Sequence, residues 1–202
     1  MVHVKHYSEI PFTEHSKKEI LRYAGAKECT PELEQLIGLC AEEMSGRLRY
    51  SLCYSEFPVS ATGEALDLGF AKVTSRDLAK SLSSCQRIIV FAATVGIDVD
   101  RLISRYSRTN PSRALVYQAM GSERIEALCD TFCKEISAVL EGEGKKTRPR
   151  FSPGYGDLPL SMQREIFSIL DCHTRIGLAL GENLLMSPSK SVTAIIGILE
   201  KE

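Results

Sequence analysis

The chain has 202 residues, 25 Lys and Arg against 26 Asp and Glu, a formal net charge of -1 and 44% hydrophobic residues. This composition excludes collagen-like, coiled-coil and disordered chains, and the balanced charge leaves no basic footprint for nonspecific nucleic-acid binding. At roughly 100 to 200 residues per domain, the length predicts one domain with a sizeable core.

The N-terminal run Met1-Val-His-Val-Lys-His-Tyr7 lacks the apolar core and small-residue cleavage site of a signal peptide. The longest apolar run, Ile88 to Val95, falls short of the roughly 20 residues that cross a bilayer. Seven cysteines appear without CxxC pairs, which reads as free thiols in a reducing compartment. The expectation is a cytoplasmic protein with no membrane contact.

In chain order, Thr13 to Tyr23 predicts a short helix with a polar N-cap and Gly25 as its stop. Pro31 opens a second helix, reaching about Leu48, whose apolar stripe is Leu33, Leu36, Ile37, Cys40 and Met44. Leu48, Tyr50, Leu52 and Tyr54 then alternate with polar or small residues, the period-two pattern of a strand with one buried face, and Ala65 to Phe70 is its candidate partner. Ser75 starts a short helix. Arg87 to Ala93 reads as a strand buried on both faces, and a helix capped near Asp98 follows Gly96. From Pro111 to about Leu140, Ile125, Leu128, Cys129, Phe132, Ile136 and Val139 keep helical spacing, so Cys129 and Cys133 read as packed thiols rather than a metal pair. Lys145 to Pro159, rich in basic residues, Pro and Gly, predicts a long irregular segment. A helix over 161–171 and a strand over 192–199 close the chain. Helices and strands mix without strict alternation, which predicts an α+β fold, helices packed on a largely antiparallel twisted sheet. The division expected is a helical arm over residues 1–47 and an α+β core over 48–202, packed as one unit.

Three motif-like strings do not hold. Gly142-Glu-Gly-Lys-Lys ends like a phosphate-binding loop, but Val139 stands where that loop needs a glycine. His3 and His6 have no cluster of further metal ligands at suitable spacing and read as part of a solvated arm. His173, in Asp171-Cys-His-Thr-Arg-Ile-Gly177, resembles a cobalt-ligating histidine string, but its glycine comes one residue late and no Gly-Gly pair follows; it reads as a polar residue after a helix end.

The irregular segment carries the remaining chemistry. Arg148 and Arg150 offer planar forks for a carboxylate or phosphate. Pro153 and Gly154 allow a tight turn, and Tyr155 supplies an aromatic face and a hydroxyl. These groups suit a small zwitterionic or aromatic ligand; the competing reading is a solvated loop with Tyr155 tucked into the core. No Ser-His-Asp set, paired catalytic carboxylates or activated cysteine can be assembled from spacing, so no catalytic residue and no metal centre are expected.

The run Arg150-Phe-Ser-Pro-Gly-Tyr-Gly-Asp-Leu-Pro-Leu160 with Gln163, and the run Leu185-Met-Ser-Pro-Ser-Lys-Ser-Val-Thr-Ala-Ile-Ile-Gly197, resemble the activation domain of cobalamin-dependent methionine synthase, in its free-standing bacterial form. Glu19 to Gly25 is similar to that family's N-terminal helical arm, and Ala119 to Ser122 with Glu126 and Cys129 to its central helix. The resemblance implies an accessory subunit that binds S-adenosylmethionine as methyl donor to cob(II)alamin, cobalamin itself being carried by a partner. The partner implied is a cobalamin-binding methionine synthase or another corrinoid protein, with flavodoxin or ferredoxin as electron donor. Matched by position, Arg150 is the arginine that holds the ligand's carboxylate, Ser152 stands where a backbone contact is made, and Gly154 and Tyr155 complete the loop. Tyr155 is followed by Gly156-Asp157 instead of the proline common in full-length synthases, which predicts a differently shaped loop. At 202 residues there is no room for the synthase's other modules, so the partner is expected to be another chain, and turnover by this chain alone is not. A second reading is a docking or capping module for a corrinoid protein that does not bind S-adenosylmethionine. A methyltransferase acting alone would need a glycine-rich strand-to-helix loop that the sequence does not show.

Overall fold

The computed structural model describes residues 1–200. Five antiparallel strands form the central sheet in the order β1-β2-β6-β10-β7: β1 (His3–Tyr7), β2 (Tyr50–Pro58), β6 (Arg87–Thr94), β10 (Ser191–Glu200) and β7 (Lys145–Thr147). The fold is the expected α+β arrangement on an antiparallel sheet. β6 and β10 are the sheet's apolar centre, and alternation along them feeds two cores. Ile89, Phe91, Ala93, Ala194, Ile196 and Ile198 face one side, and Ile88, Val90, Ala92 and Ile195 the other.

The first core is closed by α1 (Glu14–Tyr23), α2 (Pro31–Met44), α4 (Asp98–Tyr106) and α5 (Pro111–Gly142). Thirty-two residues make α5 about 48 Å long, enough to cross the sheet and extend beyond it. Its fully buried Phe132 packs 5.1 Å, ring to ring, from both Phe91 of β6 and Tyr54 of β2. Local chemistry starts these helices as the sequence suggests. Thr13 and Ser16 form a reciprocal capping box, Thr30 caps α2, and Asn110 accepts from the Arg113 N–H at the head of α5. The second core lies under α3 (Arg76–Ser81), α6 (Gln163–Leu170), α7 (Cys172–Ile176) and a small sheet of β3 (Ser60–Thr62), β4 (Ala65–Asp67) and β5 (Lys72–Thr74); the two-residue strands β8 (Ala179–Leu180) and β9 (Met186–Ser187) complete the chain.

Several expectations are corrected by this packing. β2 is covered on both faces, because Cys53 and Ser55 are as buried as Tyr50 and Leu52. Its partners are β1 and β6, while Ala65–Asp67 pairs inside the small sheet. The N-terminal run is an edge strand in which His3 stacks on Tyr54 and His6 Nδ1 lies 3.0 Å from Ser51 Oγ. α2 ends at Met44 rather than near Leu48, and α4 has no side-chain cap, Asp98 lying in its first turn. His173 does follow a helix end, that of α6 at Leu170, and lies in the short helix α7 that comes next. Lys145–Thr147, read as irregular, pairs with the end of β10.

Candidate functional site

The segment after β7 builds the site through a break in register. Thr147 pairs with Ile198, and Phe151 forms an isolated bridge with Ile195 through two 2.8 Å backbone hydrogen bonds. Residues 148–150 thus lie opposite only residues 196 and 197, one residue too many for a regular ladder, and Pro149 has no N–H to offer it. The bulge re-aims Arg150 toward α5. There Glu126 and Asp130, four residues apart on one helical face, accept its Nη2 at 2.5 Å and its Nη1 at 2.8 Å. Arg148, the other predicted fork, points elsewhere and donates to the Ser83 carbonyl at 3.2 Å.

After Phe151 the chain turns tightly. Tyr155 N–H donates to the Ser152 carbonyl, Leu158 N–H to Tyr155, and Gly154 N–H to Leu158, at 2.9 to 3.1 Å. Gly154 has φ +90° and Gly156 φ +52°, where glycine is favoured. Leu158 anchors the turn in the second core. Tyr155, 67% exposed, stands outward, so the tucked-in tyrosine is excluded.

Arg150, Ser152 and Tyr155 line one cavity of about 390 Å³, together with Glu126 from α5, Gln163 from α6 and Thr193 from β10. The volume lies within the roughly 300 to 1,000 Å³ of small-molecule sites. Gly154 shapes the turn without lining the cavity. Gln163 and Thr193 are 5% and 2% exposed, yet Gln163 Oε1 and Thr193 Oγ1 have no protein partner. A buried polar atom left unpaired costs about 1 to 3 kcal/mol, so both atoms are suited to bonding a guest. Behind Arg150, burial pushes the Cys129 and Cys133 thiols up, which keeps them protonated beside the ion pair.

A model of the family "Vitamin B12 dependent methionine synthase, activation domain" matches residues 72–201, well over half of the chain. The chain belongs to this family. Its fold is shared with the crystal structure of the MetH reactivation domain bound to AdoHcy, at TM-score 0.66 and 14% identity, covering 98% of this chain and 78% of that one. No curated protein matches the chain.

Within this activation domain, sequence reading found the loop but not its surroundings. Glu126, Gln163 and Thr193 stand in or beside the quoted runs without a role, and Asp130 carried no local signal. Among the described residues no group of three or more His, Cys, Asp or Glu is placed to hold a metal ion, and no helix is long and apolar enough to cross a membrane.

Proposed function

We propose that the cavity beneath Tyr155 binds S-adenosylmethionine and that the chain serves reductive methylation of cob(II)alamin carried by a partner chain. The observation that carries this reading is that Gln163 and Thr193, whose buried Oε1 and Oγ1 have no protein partner, line the same cavity as the Arg150–Glu126 ion pair. That set of donors and acceptors fits a zwitterion attached to a hydrogen-bonding heterocycle. Arg150 has five N–H donors and gives one each to Glu126 and Asp130, so the fork retains capacity for a carboxylate. Glu126, at the cavity wall, is the acidic partner for the ligand's ammonium in this reading. Tyr155 offers its ring at the rim, and Gln163 and Thr193 supply hydrogen bonds deeper in. When bound, S-adenosylmethionine supplies an activated methyl group on its sulfonium. The protein's own residues bind, orient and shield, and none acts as acid, base or nucleophile. Exposed Tyr155, Leu160 and Leu185 flank this region as an apolar rim on which a corrinoid-carrying partner can seat. Flavodoxin or ferredoxin is the electron donor in this reading.

Calorimetric titration of the purified protein tests the ligand. Saturation at 100 times Kd raises stability by about 2.7 kcal/mol, so thermal melts give a parallel readout. Absence of both heat and stabilisation at millimolar S-adenosylmethionine overturns the proposal. One observation favours the second reading: the Arg150 fork is already engaged by Glu126 and Asp130. A failed titration combined with capture of a purified corrinoid protein identifies a docking or capping module.

A further inference from the structure

Asp157 does not line the cavity, yet it ties the cavity's loop to a distant helix. Its carboxylate accepts from Ser75 Oγ at 2.5 Å and from the backbone N–H groups of Arg76 at 2.9 Å and Asp77 at 3.2 Å. These are donors at the first turn of α3, some 80 residues away in sequence, and they favour a negative group. Ser75 Oγ itself accepts from Leu78 N–H at 3.0 Å, so the local cap and the carboxylate from the loop hold one another. The Ser75 hydroxyl, followed by the two backbone N–H groups, holds the Asp157 carboxyl below the usual carboxylate range. At Gly156, whose φ of +52° favours glycine, a Cβ would run into the Asp77 side chain, so loop and helix touch closely.

We propose that Asp157 is a positioning residue for the ligand loop. Phe151 fixes the loop's entry on β10 and Asp157 fixes its exit on α3, so the residues between them, Ser152 to Tyr155, are held at a set height over the cavity. Without the clamp, the loop would have to be ordered by the ligand, and that entropic cost would come out of the affinity. The inference rests on the reading that this cavity takes S-adenosylmethionine.

The test compares the full chain with Asp157→Ala, Asp157→Asn and the control Asp67→Ala. Asp67 caps the Gly69 N–H in the small sheet, so its variant removes a carboxylate cap remote from the loop. Hydrogen exchange without ligand is read at Gly154, Tyr155, Leu158, Arg76 and Asp77, and S-adenosylmethionine affinity is read by calorimetry. Asp157→Ala is expected to speed exchange at all five amides and weaken affinity about tenfold, the scale of a lost charged hydrogen bond. Asp157→Asn, which keeps one acceptor oxygen, should fall between, and Asp67→Ala should match the parent in both readouts. Unchanged exchange at Gly154, Tyr155 and Leu158 in Asp157→Ala overturns the clamp whether or not the ligand binds. Faster exchange with unchanged affinity overturns the positioning role. If the parent chain does not bind S-adenosylmethionine, the ligand reading fails on its own, and the role in binding falls with it, while exchange still decides whether the clamp exists.

Discussion

Arg150 and Glu126, 24 residues apart, meet at 2.5 Å across the gap between the bulged segment and α5. The pair joins the loop that carries Ser152 and Tyr155 to the longest helix. Arg150→Ala removes this link, the bond to Asp130 and the proposed carboxylate partner together. S-adenosylmethionine affinity should fall by about 1.5 to 3 kcal/mol, roughly 10- to 150-fold. Arg150→Lys, a point charge without the planar fork, should recover only part of it. Titration of both variants checks this, and an unchanged affinity in Arg150→Ala shows that the arginine serves structure alone.

Gly121 lies buried in α5, where replacing glycine by alanine would normally gain about 1 kcal/mol of helix propensity. Here a Cβ would come within 2.6 Å of Val99 Cγ1 on α4 and 2.9 Å of Lys190 Cγ. Overpacking of this kind costs about 1 to 3 kcal/mol and outweighs the gain. Gly121→Ala should therefore lower the urea midpoint, whereas Gly38→Ala in α2, where a Cβ meets nothing within 4 Å, should leave it equal or higher.

Glu43 of α2 accepts from the Tyr117 hydroxyl at 2.6 Å, from the Tyr106 hydroxyl at 2.9 Å and from Arg113 Nη2 at 2.7 Å. The Tyr117 hydrogen bond, followed by Tyr106 and the nearby arginines, holds its carboxyl below the ordinary glutamate value. A carboxyl depressed in the folded state contributes stability that is full above its unfolded pKa, about 4.3, and is lost as pH falls through the folded value. Denaturation midpoints of the parent and Glu43→Gln should differ at pH 7, and the difference should shrink progressively as pH falls below about 4.3 and through the folded value. A difference that does not shrink at all on acidification assigns the loss to packing instead.

The seven cysteines are free, four of them buried: Cys40, Cys53, Cys129 and Cys172. A thiol-specific reagent added to the native protein should therefore modify only Cys29, Cys85 and Cys133, the other four reacting after unfolding. Burial pushes the Cys85 and Cys133 thiols up, so both should react slowly near neutral pH. Mass spectrometry of the labelled peptides reads this directly, and early labelling of Cys129 would show that α5 opens from the sheet.

Helix starts were legible because they depend on neighbours in the chain: Thr13, Pro31, Ser75 and Pro111 mark four helices by local capping chemistry. The β6 strand was equally plain, since continuous apolar residues have few other uses over that length. What failed depends on partners. The partner of β2, the burial of its second face and the short β7 strand are set by residues far along the chain, which local alternation does not encode.

The candidate site divides in the same way. By itself the sequence determined the family resemblance, the glycine-permitted turn at 154 and 156, and an arginine beside a tyrosine, because these are covalently local. Only the tertiary structure decided that Glu126 and Asp130 receive Arg150, that Arg148 turns away to the Ser83 carbonyl, and that Asp157 grips α3. The physical reason is the bulge on β10: one extra residue reverses which side chains face α5, and side-chain direction emerges only when the strands pair.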